Sequence, residues 1–169
     1  DKASVTLAEE RGACPDAAEY GMKERFSNKT AIAPTASISI ICGGSSPGIE
    51  PIAANSYTHK TLSGSFNVRN KYLKKVLQKY KKDTDEVWSS ITTNQGSVSH
   101  LNFLTANEKD TFKTAFEIDQ RWIVELGADR TPNISQAQSV NIFVPADIHK
   151  KELHDIHFQA WKKGLKSLY

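Results

Sequence analysis

Ala31-Ile-Ala-Pro-Thr-Ala-Ser-Ile-Ser-Ile-Ile-Cys-Gly-Gly-Ser-Ser-Pro-Gly-Ile-Glu-Pro51 is the stretch on which the reading of this chain turns. Three apolar residues run into Pro34, and a residue before proline favours extended backbone. This predicts a short buried strand over 31–33. Small and hydroxyl-bearing residues follow. Ser37 to Cys42 reads as a short helix with Thr35 or Ser37 as N-cap. Gly43 and Gly44 end it, because glycine takes left-handed backbone cheaply. Gly48 to Pro51 is a further turn. A strand that delivers small residues to a helix start presents converging N–H donors and leaves room for an anion. The candidate phosphate-binding residues are therefore Pro34, Thr35, Ala36, Ser37 and Ile38. Spacing alone fits an ordinary capped strand-to-helix turn as well, since neither a P-loop nor a dinucleotide fingerprint is present.

Upstream, Val5 to Glu10 reads as the end of a helix, and Asp16 to Phe26 as a short second one. Downstream, Tyr57 to Asn67 reads as extended or loop structure. Lys71 to Lys81 carries Leu73, Val76, Leu77 and Tyr80 at helical spacing. A helix capped by Thr84 follows, and Asn94-Gln-Gly96 breaks it. The apolar residues from Phe112 to Leu126 fit one long helix over about 107–127. Gln136 to Val144 alternates as a strand, a last helix begins at Pro145-Ala-Asp147, and Leu165 to Tyr169 starts another strand. Strand, helix, strand is a crossover of parallel type. The chain is thus α/β and helix-rich, with too few strands to close a sheet.

At 169 residues a single domain is the default. The net charge of +3 is too small to argue for nucleic acid. No apolar run reaches the ~18 residues of a membrane span. Two cysteines, Cys14 and Cys42, do not make a disulfide framework. The polar N-terminus is no secretory signal. It lacks an initiator methionine, as a processed or excised piece would. A cytoplasmic location is the simplest expectation. His154 and His157 could share a helix face, but no further ligand completes a metal pattern. Neither cysteine has a base at motif spacing. Glu50 reads as a buried acid or a turn carboxylate, and Tyr169 as a packing aromatic.

Six blocks in order carry more than any of these alone: Arg11-Gly-Ala-Cys-Pro15, Ala33-Pro-Thr-Ala-Ser-Ile-Ser39, Gly48-Ile-Glu-Pro51, Tyr57-Thr-His-Lys-Thr-Leu-Ser-Gly-Ser-Phe66, Gln136-Ala-Gln-Ser-Val-Asn141 and His157-Phe-Gln-Ala-Trp-Lys-Lys-Gly-Leu-Lys-Ser-Leu-Tyr169. Together they resemble the large, catalytic subunit of ribonucleotide reductase, most of all class I bacterial or bacteriophage versions. The resemblance implies that residues 1–169 form the C-terminal section of a ten-stranded α/β barrel, a single incomplete domain.

It further implies that Pro34, Thr35, Ala36, Ser37 and Ile38 hold the substrate's diphosphate. Tyr169 matches the first of a tandem tyrosine pair that relays a radical; the second would be the next residue. The radical cysteine, the reducing cysteine pair, the catalytic Asn and Glu and the allosteric nucleotide sites all match sequence outside this chain. Ser135 stands where the family often has an acidic residue. On this reading the chain binds no cofactor of its own. The radical comes from a metal-containing small subunit, and a thioredoxin- or glutaredoxin-type protein supplies reducing equivalents. The partners are the rest of the large subunit, the small subunit and a ribonucleoside diphosphate, with no nucleic acid and no membrane. The rival expectation is a non-catalytic nucleotide- or partner-binding module derived from that subunit.

Overall fold

An extended segment at 136–142, bonded on both sides through its backbone, organises the site. A computed structural model describes residues 2–169. Ile32 N–H donates to the Ala137 carbonyl at 3.0 Å, and Ser139 N–H donates to the Ile32 carbonyl at 2.9 Å. One residue bonded to two that are two apart is the parallel pattern. On the other side, Tyr169 N–H donates to the Val140 carbonyl and Ile142 N–H to the Tyr169 carbonyl, both at 2.9 Å. Residues 136–142 therefore lie between residue 32 and Tyr169, and the expected crossover is present. The segment at 31–33 is less buried than its composition predicts. Ile32 is half-buried and Ala31 and Ala33 are exposed, so it borders the sheet rather than a core.

The crossover helix packs against its predecessor. We number the helices α1 (Lys2–Arg11), α2 (Pro15–Glu19), α3 (Ala36–Ile41), α4 (Lys71–Lys79), α5 (Asp85–Thr93), α6 (Ala106–Thr111), α7 (Arg121–Arg130) and α8 (Lys150–Lys162). Val124 of α7 and Ile156 and Ala160 of α8 are buried, with Ile142, Val144, Leu165 and Leu168 against them. A Cβ at Gly127 would stand 3.3 Å from Leu165 Cδ2, so glycine lets the last segment approach α7.

A second core holds Leu73 and Leu77 of α4, Trp88 and Ile91 of α5, and Val98, Leu101 and Leu104 after them. Its caps follow the sequence. Asn70 accepts from Tyr72 and Leu73 N–H, and Thr84 accepts from Val87 N–H. Beside it stands an antiparallel hairpin, β1 (Ser56–Thr61) and β2 (Gly64–Arg69), with Thr61 opposite Gly64.

Four expectations need correcting. The helix expected over 107–127 is three pieces: α6, a 3₁₀ turn at Ala115–Glu117, and α7. Two capping boxes, Thr105 with Glu108 and Thr114 with Glu117, each start a new piece and overrule the apolar period. Phe116, Trp122 and Leu126 are left exposed. The helix expected over 16–26 stops at Glu19, where Gly21 takes φ +67°. The last helix begins at Lys150, not at Pro145, because His149 Nδ1 caps it by accepting from Lys151 N–H. The strand expected over 136–144 is no regular strand but an isolated bridge of Gln138 to Ile32 with backbone bonds to Tyr169, whereas the extended reading of 57–67 holds, as a regular hairpin.

Candidate functional site

The five phosphate-loop candidates lie where the border strand turns into α3. Thr35 makes the turn with left-handed backbone, φ +52°. Thr35 is the N-cap residue, as expected, but its side chain makes no capping bond to the helix's N–H groups. Thr35 Oγ1 instead accepts from Gly48 N–H at 2.7 Å, which leaves its own proton free to donate. The first intrahelical bond runs from Ser39 N–H to the Thr35 carbonyl at 2.8 Å. The N–H groups of Ala36, Ser37 and Ile38 precede it, so the helix itself supplies them no acceptor. Ala36, Ser37 and Ile38 are exposed, as is Pro34. At the other end Gly43 and Gly44 close α3 as predicted, and Lys71 Nζ donates to the Gly43 carbonyl at 2.8 Å.

The turn at 47–51 backs this loop. A Cβ at Gly48, where φ is +55°, would lie 3.5 Å from the carbonyl oxygens of both Ala33 and Pro34. Two residues on, the Glu50 carboxylate accepts a hydrogen bond from Asn141 Nδ2. Asn141 belongs to the 136–142 segment, and the Tyr169 backbone bonds to the residues on either side of it. One groove is lined by Ile32, Pro34, Gln138, Ser139, Asn141 and Tyr169. The structure thus brings Pro34, the first of the candidate loop residues, and Tyr169 onto one surface. Thr35 and Ser37 lie beyond its lining.

Gln138, in the groove lining, forms a buried polar clamp. Gln138 Nε2 donates to the Gly127 carbonyl at 2.8 Å and to Thr131 Oγ1 at 3.0 Å. Its Oε1 accepts from Arg130 Nε at 3.1 Å. Burial pulls the Arg130 guanidinium below its ordinary range, against the opposing charge of Asp129.

The other chemical candidates are not assembled. His154 stacks on Phe158, and His157 Nδ1 lies 2.8 Å from the Leu153 carbonyl. Among the described residues, no three His, Cys, Asp or Glu side chains are grouped to hold a metal ion. Cys14 is half-buried and Cys42 exposed, and both are free thiols. No helix among the described residues is long and apolar enough to cross a membrane.

The family model of the ribonucleotide reductase barrel domain matches residues 2–169. The chain belongs to the ribonucleotide reductase barrel family. It is 49% identical over 173 residues to the ribonucleoside-diphosphate reductase large subunit of Invertebrate iridescent virus 6, covering all of this chain and 18% of that protein. It is 46% identical over 172 residues to the large subunit of Invertebrate iridescent virus 3, again over its whole length and 27% of the relative. Among solved structures, the class Id ribonucleotide reductase alpha subunit of Actinobacillus ureae superposes with a TM-score of 0.82 at 39% identity. That match covers 99% of this chain and 30% of the other. The chain therefore spans less than a third of each of these relatives. As a ribonucleotide reductase barrel section it is the helix-rich α/β piece that the sequence indicated.

The pairing of Glu50 with Asn141 was not evident from residue types alone. Both lie inside blocks that carry the resemblance, Gly48 to Pro51 and Gln136 to Asn141. That two separate blocks should meet was the available signal.

Proposed function

We propose that this chain is the C-terminal barrel wall of a ribonucleoside-diphosphate reductase large subunit. Its share of the work is to hold the substrate's diphosphate and to pass a radical. Pro34, Thr35, Ala36, Ser37 and Ile38 form the phosphate cradle. The Ala36, Ser37 and Ile38 N–H groups and the Thr35 and Ser37 hydroxyls donate to the phosphate oxygens, and Ala36 leaves room for them. Tyr169 stands on the relay between the small subunit's metal-generated radical and a cysteine of the remaining barrel. The complete reaction removes the ribose 2′-hydroxyl as water and puts hydrogen in its place. Two electrons and two protons come from a dithiol, restored by a thioredoxin- or glutaredoxin-type protein. The rest of the large subunit, the small subunit and a ribonucleoside diphosphate are the partners, in the cytoplasm, in the service of deoxyribonucleotide synthesis. ATP binding and allosteric control belong to parts of the subunit outside this chain.

The observation that carries the reading is one groove whose lining includes both Pro34 and Tyr169. A diphosphate held at the first puts its nucleoside within the space that the second faces. The test is reduction of cytidine diphosphate by this chain mixed with the rest of the large subunit and the small subunit. Turnover should appear only in the mixture, and Thr35→Val with Ser37→Ala should raise KM by about tenfold or more, as loss of two donors to a charged group does. Turnover by the chain alone, or none in the complete mixture, would overturn it. The second result would favour a non-catalytic nucleotide- or partner-binding module.

A further inference from the structure

A series of contacts links the candidate phosphate loop to the backbone of Tyr169. Gly48 N–H donates to Thr35 Oγ1 at 2.7 Å, and Gly48 sits against the Ala33 and Pro34 carbonyls. Glu50, in the same tight turn (Glu50 N–H to the Pro47 carbonyl, 3.2 Å), accepts from Asn141 Nδ2. Asn141 is bracketed by the two backbone bonds that hold Tyr169. Both Glu50 and Asn141 are half-buried, and 91 residues of sequence separate them. Elsewhere in the loop's surroundings the backing is slight: Ile38, Ile40 and Ile41 of α3 are 58%, 58% and 83% exposed. The lead-in at Ile32 is held to residues 137 and 139 by backbone bonds, but beyond Pro34 the exposed face of α3 adds little packing, and the Glu50–Asn141 bond is a side-chain link from the 47–51 turn, which backs the loop, to the same segment.

We infer that the Glu50–Asn141 hydrogen bond is a positioning clasp that sets the distance and orientation of the phosphate loop relative to Tyr169. This rests on the proposed diphosphate site. Neither residue touches substrate in this account. Glu50 acts through Gly48 and Thr35, and Asn141 through the strand register at Tyr169. Ser139 Oγ, 3.2 Å from Asn141 Nδ2, is the clasp's second acceptor and keeps the amide turned toward Glu50. The carboxylate's charge is incidental, because an amide oxygen at residue 50 would accept the same proton.

Two readouts test it separately from the parent reading. The first is amide hydrogen exchange on this chain without ligand. Asn141→Ala should speed exchange at Gly48 and at Ile142 together, while Leu77 in the other core keeps its rate. Unchanged exchange at Gly48 overturns the clasp whether or not the loop binds phosphate.

The second is the affinity of the assembled large subunit for inorganic pyrophosphate. Asn141→Ala should weaken it roughly tenfold, the scale of one lost hydrogen bond. Glu50→Gln, which keeps the acceptor, should stay within about threefold of the parent. Asn141→Asp sets two carboxylates face to face and should weaken binding further. The pair Glu50→Gln with Asn141→Asp restores a donor and an acceptor and should recover most of the loss. Single variants that weaken binding with no recovery in the pair would mean simple local damage and overturn the inference. Absence of pyrophosphate binding by the parent protein would count against the diphosphate site, leaving the exchange result to decide the clasp.

Discussion

Asn55 shows how much one polar side chain can hold in this fold. It is buried, its Nδ2 donates to the Gly96 carbonyl at 3.0 Å and the Phe112 carbonyl at 2.7 Å, and its Oδ1 accepts from Asn70 Nδ2 at 2.8 Å. It thereby ties the hairpin's entry to the cap of α4 and to the turn after α5. Asn55→Ala leaves these partners without it, at a cost of about 2–4 kcal/mol, readable in a urea titration. Gly96 is the matching steric constraint. With φ +81°, a Cβ there would collide with Ala54 and lie 2.6 Å from its Cα. Gly96→Ala should destabilise by about 2 kcal/mol or more. A neutral result at either position would break the account of this corner.

Caps and turns, more than apolar period, set the element boundaries here. Thr105→Ala and Thr114→Ala each remove half of a capping box and should cost about 1 kcal/mol, additively, since they start separate pieces. The same boxes shape the acid response. Burial raises the Glu117 carboxyl, but donation from Ser97 Oγ and from the N–H and Oγ1 of Thr114 outweighs it and holds the group below the usual range. Glu108 is likewise held down by the Thr105 N–H and hydroxyl and by Tyr80. Asp83 is held down by Trp88 Nε1–H and, more weakly, by Gln78. Folded values below the unfolded ones mean that this stabilisation is full above the ordinary carboxylate range. It is lost as pH falls through about 4 and below. Urea midpoints should therefore decline on that acid side, and Glu117→Gln should flatten the decline.

Much of this level was legible in the sequence. The amphipathic spacing of Leu73 and Leu77, the Thr84 cap, the glycine stop of α3 and the terminal crossover could all be read from it. The split of residues 107–127 was not, because its apolar positions keep a helical period across two cap sequences. Residues 57–67 could be read as extended but not as a paired hairpin, because the two-residue turn, Leu62 and Ser63, lacks the usual turn residues. At the site, the loop's residues were named correctly as a strand-to-helix turn. What spacing could not give is that Thr35 bonds across to Gly48 rather than down its own helix.

As a whole the molecule has two separate cores, linked along the chain through α6 and the 3₁₀ turn at Ala115–Glu117, with α3 lying outside both. Leu77→Ala should cost about 2–5 kcal/mol in the helical core and speed amide exchange across α4 and α5. Residues 136–142 should keep their rates, because stability is local where cores are separate. Equal acceleration in both would mean one cooperative unit. The exposed isoleucines of α3 and the open edge at Ile32 are surfaces that the rest of a ribonucleotide reductase barrel would cover. The central claim, one groove with a phosphate end and a radical end, is tested most directly by steady-state kinetics. The measurement is cytidine diphosphate reduction by an assembled large subunit carrying Tyr169→Phe, with small subunit present. The account predicts that kcat collapses by orders of magnitude while nucleotide affinity stays within about twofold, whereas the Thr35 and Ser37 substitutions chiefly raise KM. Undiminished turnover with phenylalanine at 169 would contradict it.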